Sequence, residues 1–546
     1  MFSATNRMSD IAQLMQTELD VLVIGGGITG AGIALDASTR GLKVGLVEMQ
    51  DFAAGTSSRS TKLIHGGLRY LKQFEFRLVA EVGKERETVH RNAPHLTKPE
   101  PMLLPIVKGG SFSWFTARLG MTVYEWLAGV KKEERHRVLS KEETLKIEPT
   151  LKKKGLLGGI LFYEYRTDDA RLTIEVLKTA VDNGAIALNY AQATDFVYQG
   201  KQIAGVLVKD LIQQRSFQIK AKQVVNAGGP WVDAIDDVEK DHGRHKLSLT
   251  KGVHLVVDHH KLPIKQAIYF DTFDKRMIFA IPRDGKTYFG TTDTFYNGNL
   301  IEPLITATDR DYLIQCVNDI FPAYTLHAQD IESCWVGVRP LVHKLGKGPS
   351  EISRKDEMFI SPSGLITIAG GKLTGYRKMA QKVIDYVSFQ IKQCVVPCKT
   401  ENTVIAGGQM AGYDCFSDLL KHAVKQGMAI GLEKKEAKLL GHRYGSNVFT
   451  VFDFIKEAIN NRMADVPVFL QAECLYAMEY EMCQSLSDFL IRRTGMIFFD
   501  MEHAERYQYG INRLMAQKLH WSEQQATCSL HDFRQALERH FSVKTM

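Results

Sequence analysis

The chain has 546 residues and a formal net charge of +7, from 69 Lys plus Arg against 62 Asp plus Glu. Hydrophobic residues make up 45% and charged residues 24% of it, proportions that exclude disorder as the main state. The mild positive excess is compatible with an anionic substrate, an anionic membrane surface or RNA, and it does not decide among them.

Neither a targeting segment nor a metal-binding pattern is evident. Residues 1–20 are polar and lack the apolar core of a secretory signal, and no apolar run reaches the ~18 residues of a membrane-spanning helix. Of the eight Cys, Cys394 and Cys398 have three residues between them, yet no second pair completes a zinc set. We therefore expect reduced thiols and no metal.

The first pattern along the chain is a β-α-β unit. Asp20–Ile24 is the short apolar run of a strand buried on both faces, and the pattern predicts a helix from Ile28 to Arg40 after a glycine-rich turn. Gly41 ends this helix, and Lys43–Glu48 is the next strand. The unit predicts a sheet that is at least partly parallel.

Strands and hairpins dominate the middle of the chain, and helical patterns dominate from about residue 400 onward, which predicts a separate helical domain. We predict hairpins of 203–208 with 216–220 and of 277–281 with 287–290, a strand from 223 that enters a glycine turn at 228–229, a strand at 365–369, and helices such as 433–443 and 469–492.

The turn after the first strand fits the GxGxxG pattern. Gly25 permits the tight turn, Gly27 lets the backbone approach a pyrophosphate, and Gly30 lets helix and strand pack closely. The helix N-terminus offers free N–H groups to the phosphates, and Glu48 at the end of the second strand can bind a ribose hydroxyl. Together these features predict a dinucleotide site, although they do not distinguish NAD from FAD.

Several blocks decide for FAD because they resemble one family. Residues 57–71, SSRSTKLIHGGLRYL, look like the signature of FAD-dependent glycerol-3-phosphate dehydrogenases. Further blocks follow in family order across about 18–390: DDARL at 168–172, NAGGPW at 226–231, GTTD at 290–293, GVRPL at 337–341 and GGKLT at 370–374. One departure is Gly375, where the family usually has Thr.

The resemblance implies an α/β fold: a glutathione-reductase-like (Rossmann-type) FAD domain, an antiparallel-sheet substrate domain and an all-helical C-terminal domain. The expected limits are 18–85, 160–248 and 350–395 for the FAD domain, 86–159 and 249–349 for the substrate domain, and 396–546 for the helical domain. The residues expected to bind FAD are Gly25, Gly27, Gly30, Glu48, Thr56, Ser57, Ser58, Ser60, Lys62, Leu63, His65, Gly66, Gly67, Gly229, Gly371, Lys372, Leu373 and Thr374.

The resemblance also implies the reaction, oxidation of sn-glycerol 3-phosphate to dihydroxyacetone phosphate by hydride transfer to FAD. Cations suit the dianionic phosphate, and the candidates are Arg69, Arg276, Arg339, Arg354 and Lys372. His254 is the expected base and Arg339 the expected stabiliser of the alkoxide. Tyr70 is a further candidate for a substrate hydrogen bond, with simple packing as the alternative.

The resemblance favours a membrane quinone as electron acceptor and a protein on the cytoplasmic membrane surface, with a soluble oxidase that makes hydrogen peroxide as the alternative. Phe112–Val130, with aromatic residues and basic flanks, fits an interfacial helix and an ordinary buried helix equally well. A homodimer is compatible with this picture. An amino-acid oxidase, an RNA-modifying flavoprotein and a scaffold without flavin are weaker alternatives, and we expect no nucleic acid partner.

Overall fold

A computed structural model of the chain describes residues 2–65, 76–128, 130–239, 247–342, 356–370, 372–392, 394–410, 412–460 and 463–545. Its strands are β1 Leu19–Ile24, β2 Val44–Val47, β3 Leu63–Ile64, β4 Thr97–Val107, β5 Arg137–Ser140, β6 Leu156–Thr167, β7 Ile186–Leu188, β8 Ala191–Gln199, β9 Gln202–Asp210, β10 Arg215–Asn226, β11 Leu247–Asp258, β12 Ala267–Asp271, β13 Met277–Arg283, β14 Lys286–Gly290, β15 Thr294–Phe295, β16 Ile331–Val342, β17 Glu357–Ile360 and β18 Ile366–Ala369.

The α-helices are α1 Arg7–Gln16, α2 Ile28–Thr39, α3 Phe76–Asn92, α4 Trp114–Ala128, α5 Lys141–Ile147, α6 Asp169–Asp182, α7 Val232–Asp236, α8 Ala307–Ile320, α9 Tyr376–Lys392, α10 Phe416–Ala429, α11 Lys434–Tyr444, α12 Val448–Asn460, α13 Val468–Tyr480, α14 Met496–Phe499, α15 Met501–Lys518 and α16 Glu523–Thr545. A π-helical turn covers Asp488–Arg493.

The first sheet has the order β17-β18-β10-β1-β2-β7, with β9 paired to β10 and β8 to β9. The pairs of β1 with β2 and β10, of β2 with β7, and of β10 with β18 are parallel, as the β-α-β pattern predicts. Helix α2 packs between α6 and α9 on this sheet. Gly41 follows α2 with a φ of +78°, which confirms it as the residue that ends the helix.

The second sheet has the order β15-β11-β14-β13-β12-β4-β6-β3, with β16 paired to β11 and β5 to β6. Its pairs are antiparallel except that β12 runs parallel to β4. The predicted hairpins β9–β10 and β13–β14 are both confirmed. The domain limit predicted at residue 160 falls inside β6, whose whole length pairs with β4 or β3 in this sheet.

Helices after residue 400 pack against the second sheet. Leu470, Phe498 and Ile511 share one apolar core with Met102 and Trp335 of the second sheet. The all-helical C-terminal domain predicted from the sequence is confirmed, and its apolar face is buried against the neighbouring sheet. Burying that face removes apolar surface from water, which stabilises the packing of the helices on the sheet.

The prediction of one helix over 469–492 is wrong, because the helix is interrupted. Helix α13 ends at Tyr480, Met482 has a φ of +46°, and a π-helical turn follows at Asp488–Arg493. The physical reason lies in the buried ion pairs of the break, since Glu481 accepts from Arg171 at 2.7 Å. A buried carboxylate without such a partner would be costly, so tertiary pairing overrides helix propensity here.

Candidate active site

The glycine turn has the close contacts that its sequence predicts. The N–H of Gly25 donates to the carbonyl of Val47 at 2.8 Å, and its φ is +113°. A Cβ at Gly25 would lie 2.5 Å from the carbonyl oxygen of Ala227, and one at Gly30 would collide with the carbonyl oxygen of Gly25. Any larger residue would therefore displace the strand-to-helix turn.

Ser57 and Glu48 fix the backbone around this turn. The Ser57 hydroxyl oxygen accepts from the N–H of Ile28 at 2.9 Å, and Glu48 accepts from the N–H of Gly26 at 2.7 Å. Gly27 leaves room for Ser57, because a Cβ there would lie 3.1 Å from its hydroxyl oxygen. Burial raises the pKa of Glu48. The two backbone N–H groups that donate to its carboxylate, from Gln50 and Gly26, oppose part of this rise.

A cavity of about 150 Å³ begins at the N-terminus of α2. Among its lining residues are Gly25, Gly27, Glu48, Thr56, Ser57, Ser60, Gly229, Lys372 and Leu373, all predicted from the sequence. A neighbouring cavity of about 280 Å³ lies beyond Glu48, between Met49, Trp231 and the segment 191–196. Helix N–H groups, a glycine turn without side chains and a carboxylate at the strand end fit a dinucleotide.

The segment before residue 65 is held by its own polar contacts. The buried ammonium of Lys62 donates to Asp169 at 2.6 Å and to the carbonyl of Ser58 at 3.0 Å, and Asp169 also accepts from the N–H of Ser60 at 2.9 Å. Thr56 donates to the carbonyl of Val338 at 2.6 Å. Lys62 therefore braces this segment through Asp169, at the start of α6.

His65 and Thr374 join the segment to the loop before α9. The Thr374 hydroxyl oxygen accepts from the N–H of His65 at 3.1 Å, and Leu63 is buried two residues earlier. Gly66, Gly67, Arg69, Tyr70, Arg354 and Gly371 lie outside the described residues, so their predicted roles stay predictions.

A third cavity, of about 390 Å³, brings the predicted catalytic residues together. His254, Arg339, Arg276 and Lys372 all line it. Thr56, Ser60, Pro340, Lys372 and Leu373 line both this cavity and the one at the glycine turn. The two cavities therefore meet, and Lys372 lies at their junction.

His254 on β11 is 1% exposed and lies flat against Trp335, with ring centroids 4.9 Å apart and an interplanar angle of 12°. Its Nε2 is 3.0 Å from the hydroxyl oxygen of Thr61, which also lines the cavity. Burial, and then the positive charges of Arg339 and Lys62, hold the pKa of His254 well below its usual value near 6.5. The imidazole is therefore neutral at neutral pH and can accept a proton.

Arg339 on β16 is fixed by three acceptors. Its Nη2 donates to the hydroxyl oxygen of Thr291 at 2.9 Å, and its Nη1 donates to Asp293 and to the carbonyl of Thr292, both at 3.3 Å. Gly252 makes room for the guanidinium, since a Cβ there would collide with it. A fixed guanidinium at the cavity wall can stabilise negative charge without reorganising.

Arg276 lies at the cavity rim and is engaged with its neighbours. Its Nε donates to Asp274 at 2.7 Å, and its guanidinium lies 4.1 Å from the ring centroid of Tyr312. The hydrogen bond to Asp274 and the nearby Tyr312 raise its pKa despite burial. This geometry places Arg276 near the cavity, although its charge is already paired.

Sequence reasoning did not single out Thr61, Trp335, Thr291 or Asp293. Thr61 stands inside the quoted signature, and Thr291 and Asp293 stand inside the GTTD block, so the family blocks held a signal for three of them. Trp335 precedes its block by two residues, and only the pairing of β11 with β16 reveals its contact with His254. The described residues contain no cluster of metal-ligating side chains, and none of their helices is long and apolar enough to cross a bilayer.

Known proteins resemble this chain over nearly its whole length. Residues 20–377 match the family of FAD dependent oxidoreductases, and residues 398–526 match the C-terminal domain of alpha-glycerophosphate oxidase. The chain is 53% identical over 532 residues to the aerobic glycerol-3-phosphate dehydrogenase of Bacillus subtilis, which covers 96% of this chain and 95% of that protein. The enzyme of the same name from Staphylococcus haemolyticus is 51% identical over 529 residues, 96% of this chain and 95% of that protein.

Solved structures agree with this result. The glycerol-3-phosphate dehydrogenase from Bacillus halodurans, complexed with FAD, superposes with a TM-score of 0.87 at 43% identity, over 99% of this chain and 98% of that chain. The L-alpha-glycerophosphate oxidase of Mycoplasma pneumoniae, with FAD bound, has a TM-score of 0.52 at 18% identity and covers 68% of this chain and 95% of that one. The second likeness concerns the fold alone.

Proposed function

Because the chain belongs to the aerobic glycerol-3-phosphate dehydrogenase family of FAD-dependent oxidoreductases, we propose that it oxidises sn-glycerol 3-phosphate to dihydroxyacetone phosphate and passes the electrons to a membrane quinone. FAD is its cofactor. When bound, FAD supplies an acceptor for the hydride that leaves C2 of the alcohol.

The observation that carries this proposal is the junction of the two cavities. A cavity suited to a dinucleotide opens at Lys372 into one that holds a neutral imidazole, His254, and a fixed guanidinium, Arg339. An amino-acid substrate would need only one cation, for its carboxylate. A phosphorylated alcohol needs cations and a base, which is the set found here.

We assign the first proton transfer to Thr61 and His254 together. His254 is 1% exposed, whereas Thr61 is partly exposed to the same cavity and lies 3.0 Å from Nε2 of the ring. The 2-hydroxyl proton passes to the Thr61 oxygen while the Thr61 proton passes to Nε2. The negative charge of the bound substrate offsets the positive charges that lower the His254 pKa, so the base strengthens when substrate binds.

Arg339 and Lys372 take the negative charges of the substrate. Arg339 holds its guanidinium against Thr291 and Asp293 and stabilises the developing alkoxide. Lys372, at the junction of the cavities, attracts the phosphate and holds C2 near the cofactor site. Roles for Arg69, Arg276, Arg354 and Tyr70 in phosphate or hydroxyl binding belong to the same proposal.

Attachment to the cytoplasmic membrane surface is supported by the face around α4. Arg118 and Leu119 are exposed on this helix. Leu157, which is 45% exposed, lies near the same helix, because the next residue, Gly158, contacts the ring of Trp114. Exposed aliphatic side chains next to basic residues such as Lys153 fit an anionic lipid surface. Sedimentation with anionic vesicles should fall when Leu119 and Leu157 are both replaced by Asp.

The test uses the FAD-loaded protein without oxygen. Adding sn-glycerol 3-phosphate should bleach the visible absorbance of the flavin, and adding a quinone analogue should restore it quickly, with only slow recovery in air. Fast recovery in air with release of peroxide would instead make the protein an oxidase. Absence of bleaching in loaded protein would overturn the substrate assignment and reopen the amino-acid and RNA alternatives.

A further inference from the structure

The cavity that holds His254 has a second part that the substrate does not require. Six apolar side chains line it, from Met102, Phe112, Phe162, Tyr269, Met277 and Phe279. Glycerol 3-phosphate is a small polar molecule whose every carbon bears oxygen, and burying it against this surface would gain little. An apolar wall of this size is suited to an apolar or aromatic ligand.

Three residues that line this cavity, His254, Phe279 and Tyr269, belong to one cross-strand row. Trp335, His254, Gly290, Phe279 and Tyr269 are successive partners on β16, β11, β14, β13 and β12, so their side chains point to the same face of the sheet. Gly290 has no side chain, and the imidazole of His254 lies over it, since a Cβ there would lie 2.6 Å from the ring. With strands about 4.8 Å apart, Tyr269 lies about 14 Å from His254 along the sheet.

The far end of the row presents flat aromatic surface. The rings of Tyr269 and Phe279 are stacked, with centroids 4.2 Å apart and an interplanar angle of 17°. Offset stacking of a further planar ring on such a pair is favourable. Glu164 also lines this part, but its carboxylate is paired with Arg86 at 3.1 Å, so the wall does not repel an electron-rich ring with an unpaired charge.

This apolar part touches both the cofactor segment and the outside. The ring of His65, in the segment assigned to the flavin, lies 6.4 Å from that of Phe279, and Leu63 lines the same wall. Toward the surface the cavity is lined by Ser111, Phe112 and the exposed Lys275. Phe112 lies two residues before α4, the helix assigned above to the membrane surface.

We propose that the apolar part of the cavity, from Phe279 to Phe112, binds the ring of the quinone acceptor. The inference rests on the proposed function, because it names the binding site of the quinone that the proposed function requires. The alcohol loses two electrons and two protons in becoming a ketone. The quinone gains two electrons and two protons in becoming a hydroquinone, and the protons on its two oxygens are exchanged through solvent. No further reductant is required.

The test separates the two halves of the reaction in Phe279→Leu and Phe112→Ala. The rate of flavin bleaching by sn-glycerol 3-phosphate is measured first, then the rate of recovery with menadione. We expect the ratio of recovery to bleaching to fall at least about tenfold, because a lost ring stack weakens quinone binding. Recovery with ferricyanide, which needs no apolar site, should keep its wild-type ratio to bleaching.

Phe295→Leu is the matched control, since Phe295 is 57% exposed on β15, at the other edge of the same sheet. Equilibrium dialysis of menadione against the oxidised protein gives a second readout, with the Kd raised at least about tenfold in the variants. If Phe279→Leu loses its flavin, Phe112→Ala, at the partly exposed mouth, decides the question.

The outcomes are distinguishable. If menadione does not restore the flavin of the wild-type protein, the quinone part of the proposed function is wrong and the site falls with it. If the wild-type protein recovers and both variants recover and bind menadione equally well, the acceptor binds elsewhere while the proposed function stands. A selective loss with quinone, absent with ferricyanide and in Phe295→Leu, supports the site.

Discussion

Replacing Arg339 by Met keeps a side chain of similar length and removes the guanidinium from the cavity wall. In the native protein that group donates to Thr291 at 2.9 Å and to Asp293 at 3.3 Å, and 20% of the side chain is exposed to the cavity. Removing one preorganised donor from a developing oxyanion typically lowers kcat by about 10²–10³, or roughly 3–4 kcal/mol. We expect a loss of that size in the limiting rate of flavin bleaching.

The same change leaves the Asp293 carboxylate beside an anionic substrate, so KM should rise as well. The double variant Arg339→Met/Asp293→Asn removes that repulsion, and it should recover KM but not the limiting rate. Anaerobic stopped-flow absorbance over a range of sn-glycerol 3-phosphate concentrations separates the two parameters. A limiting rate within about threefold of the wild-type value, with FAD bound, would refute a role for Arg339 in the transition state.

Three further perturbations test other contacts. Thr61→Val should slow bleaching while FAD stays bound, because His254 then lacks the hydroxyl that reaches the cavity; an unchanged rate would mean direct proton transfer. Burial lowers the pKa of His95 to about 3, so the unfolded chain binds the extra proton first and the free energy of unfolding should fall as pH drops from 6.5 toward 3. Urea unfolding at several pH values measures this, and His95→Gln should flatten the dependence. Arg493→Met should cost about 1.5–3 kcal/mol in urea unfolding, because the buried Asp51 loses a partner at 2.7 Å and keeps Arg492 at 2.5 Å. A cost of Asp51→Asn that is the same with and without Arg493 would contradict that pairing.

The glycine turn was predictable because its constraints are local. Gly25, Gly30 and Glu48 lie within one β-α-β unit, and their roles follow from backbone geometry that any such unit shares. The structure adds contacts between residues that are far apart in the sequence, such as the cavity between Glu48 and residues 191–196. That segment comes from a strand far along the chain and carries no recognisable pattern of its own.

For the cavity around His254, the sequence predicted single residues but not their arrangement. His254 and Arg339 stand in blocks that resemble the family, but their shared cavity depends on the pairing of β11 with β16, which no sequence period specifies. The partner of His254, Thr61, is 193 residues away. Likewise the break after Tyr480 depends on buried ion pairs between domains, and the helix propensity of residues 469–492 does not reflect those pairs.

The most direct test of the central claim is a comparison of ordinary sn-glycerol 3-phosphate with the same compound carrying deuterium at C2. Both are mixed without oxygen with the FAD-loaded protein, and the rate of flavin bleaching is followed. If hydride leaves C2 in the step that reduces the cofactor, the deuterated compound bleaches the flavin more slowly, at the same final extent. Bleaching at equal rates would argue against C2 hydride transfer as the limiting chemistry, and no bleaching with either compound would contradict the assigned substrate.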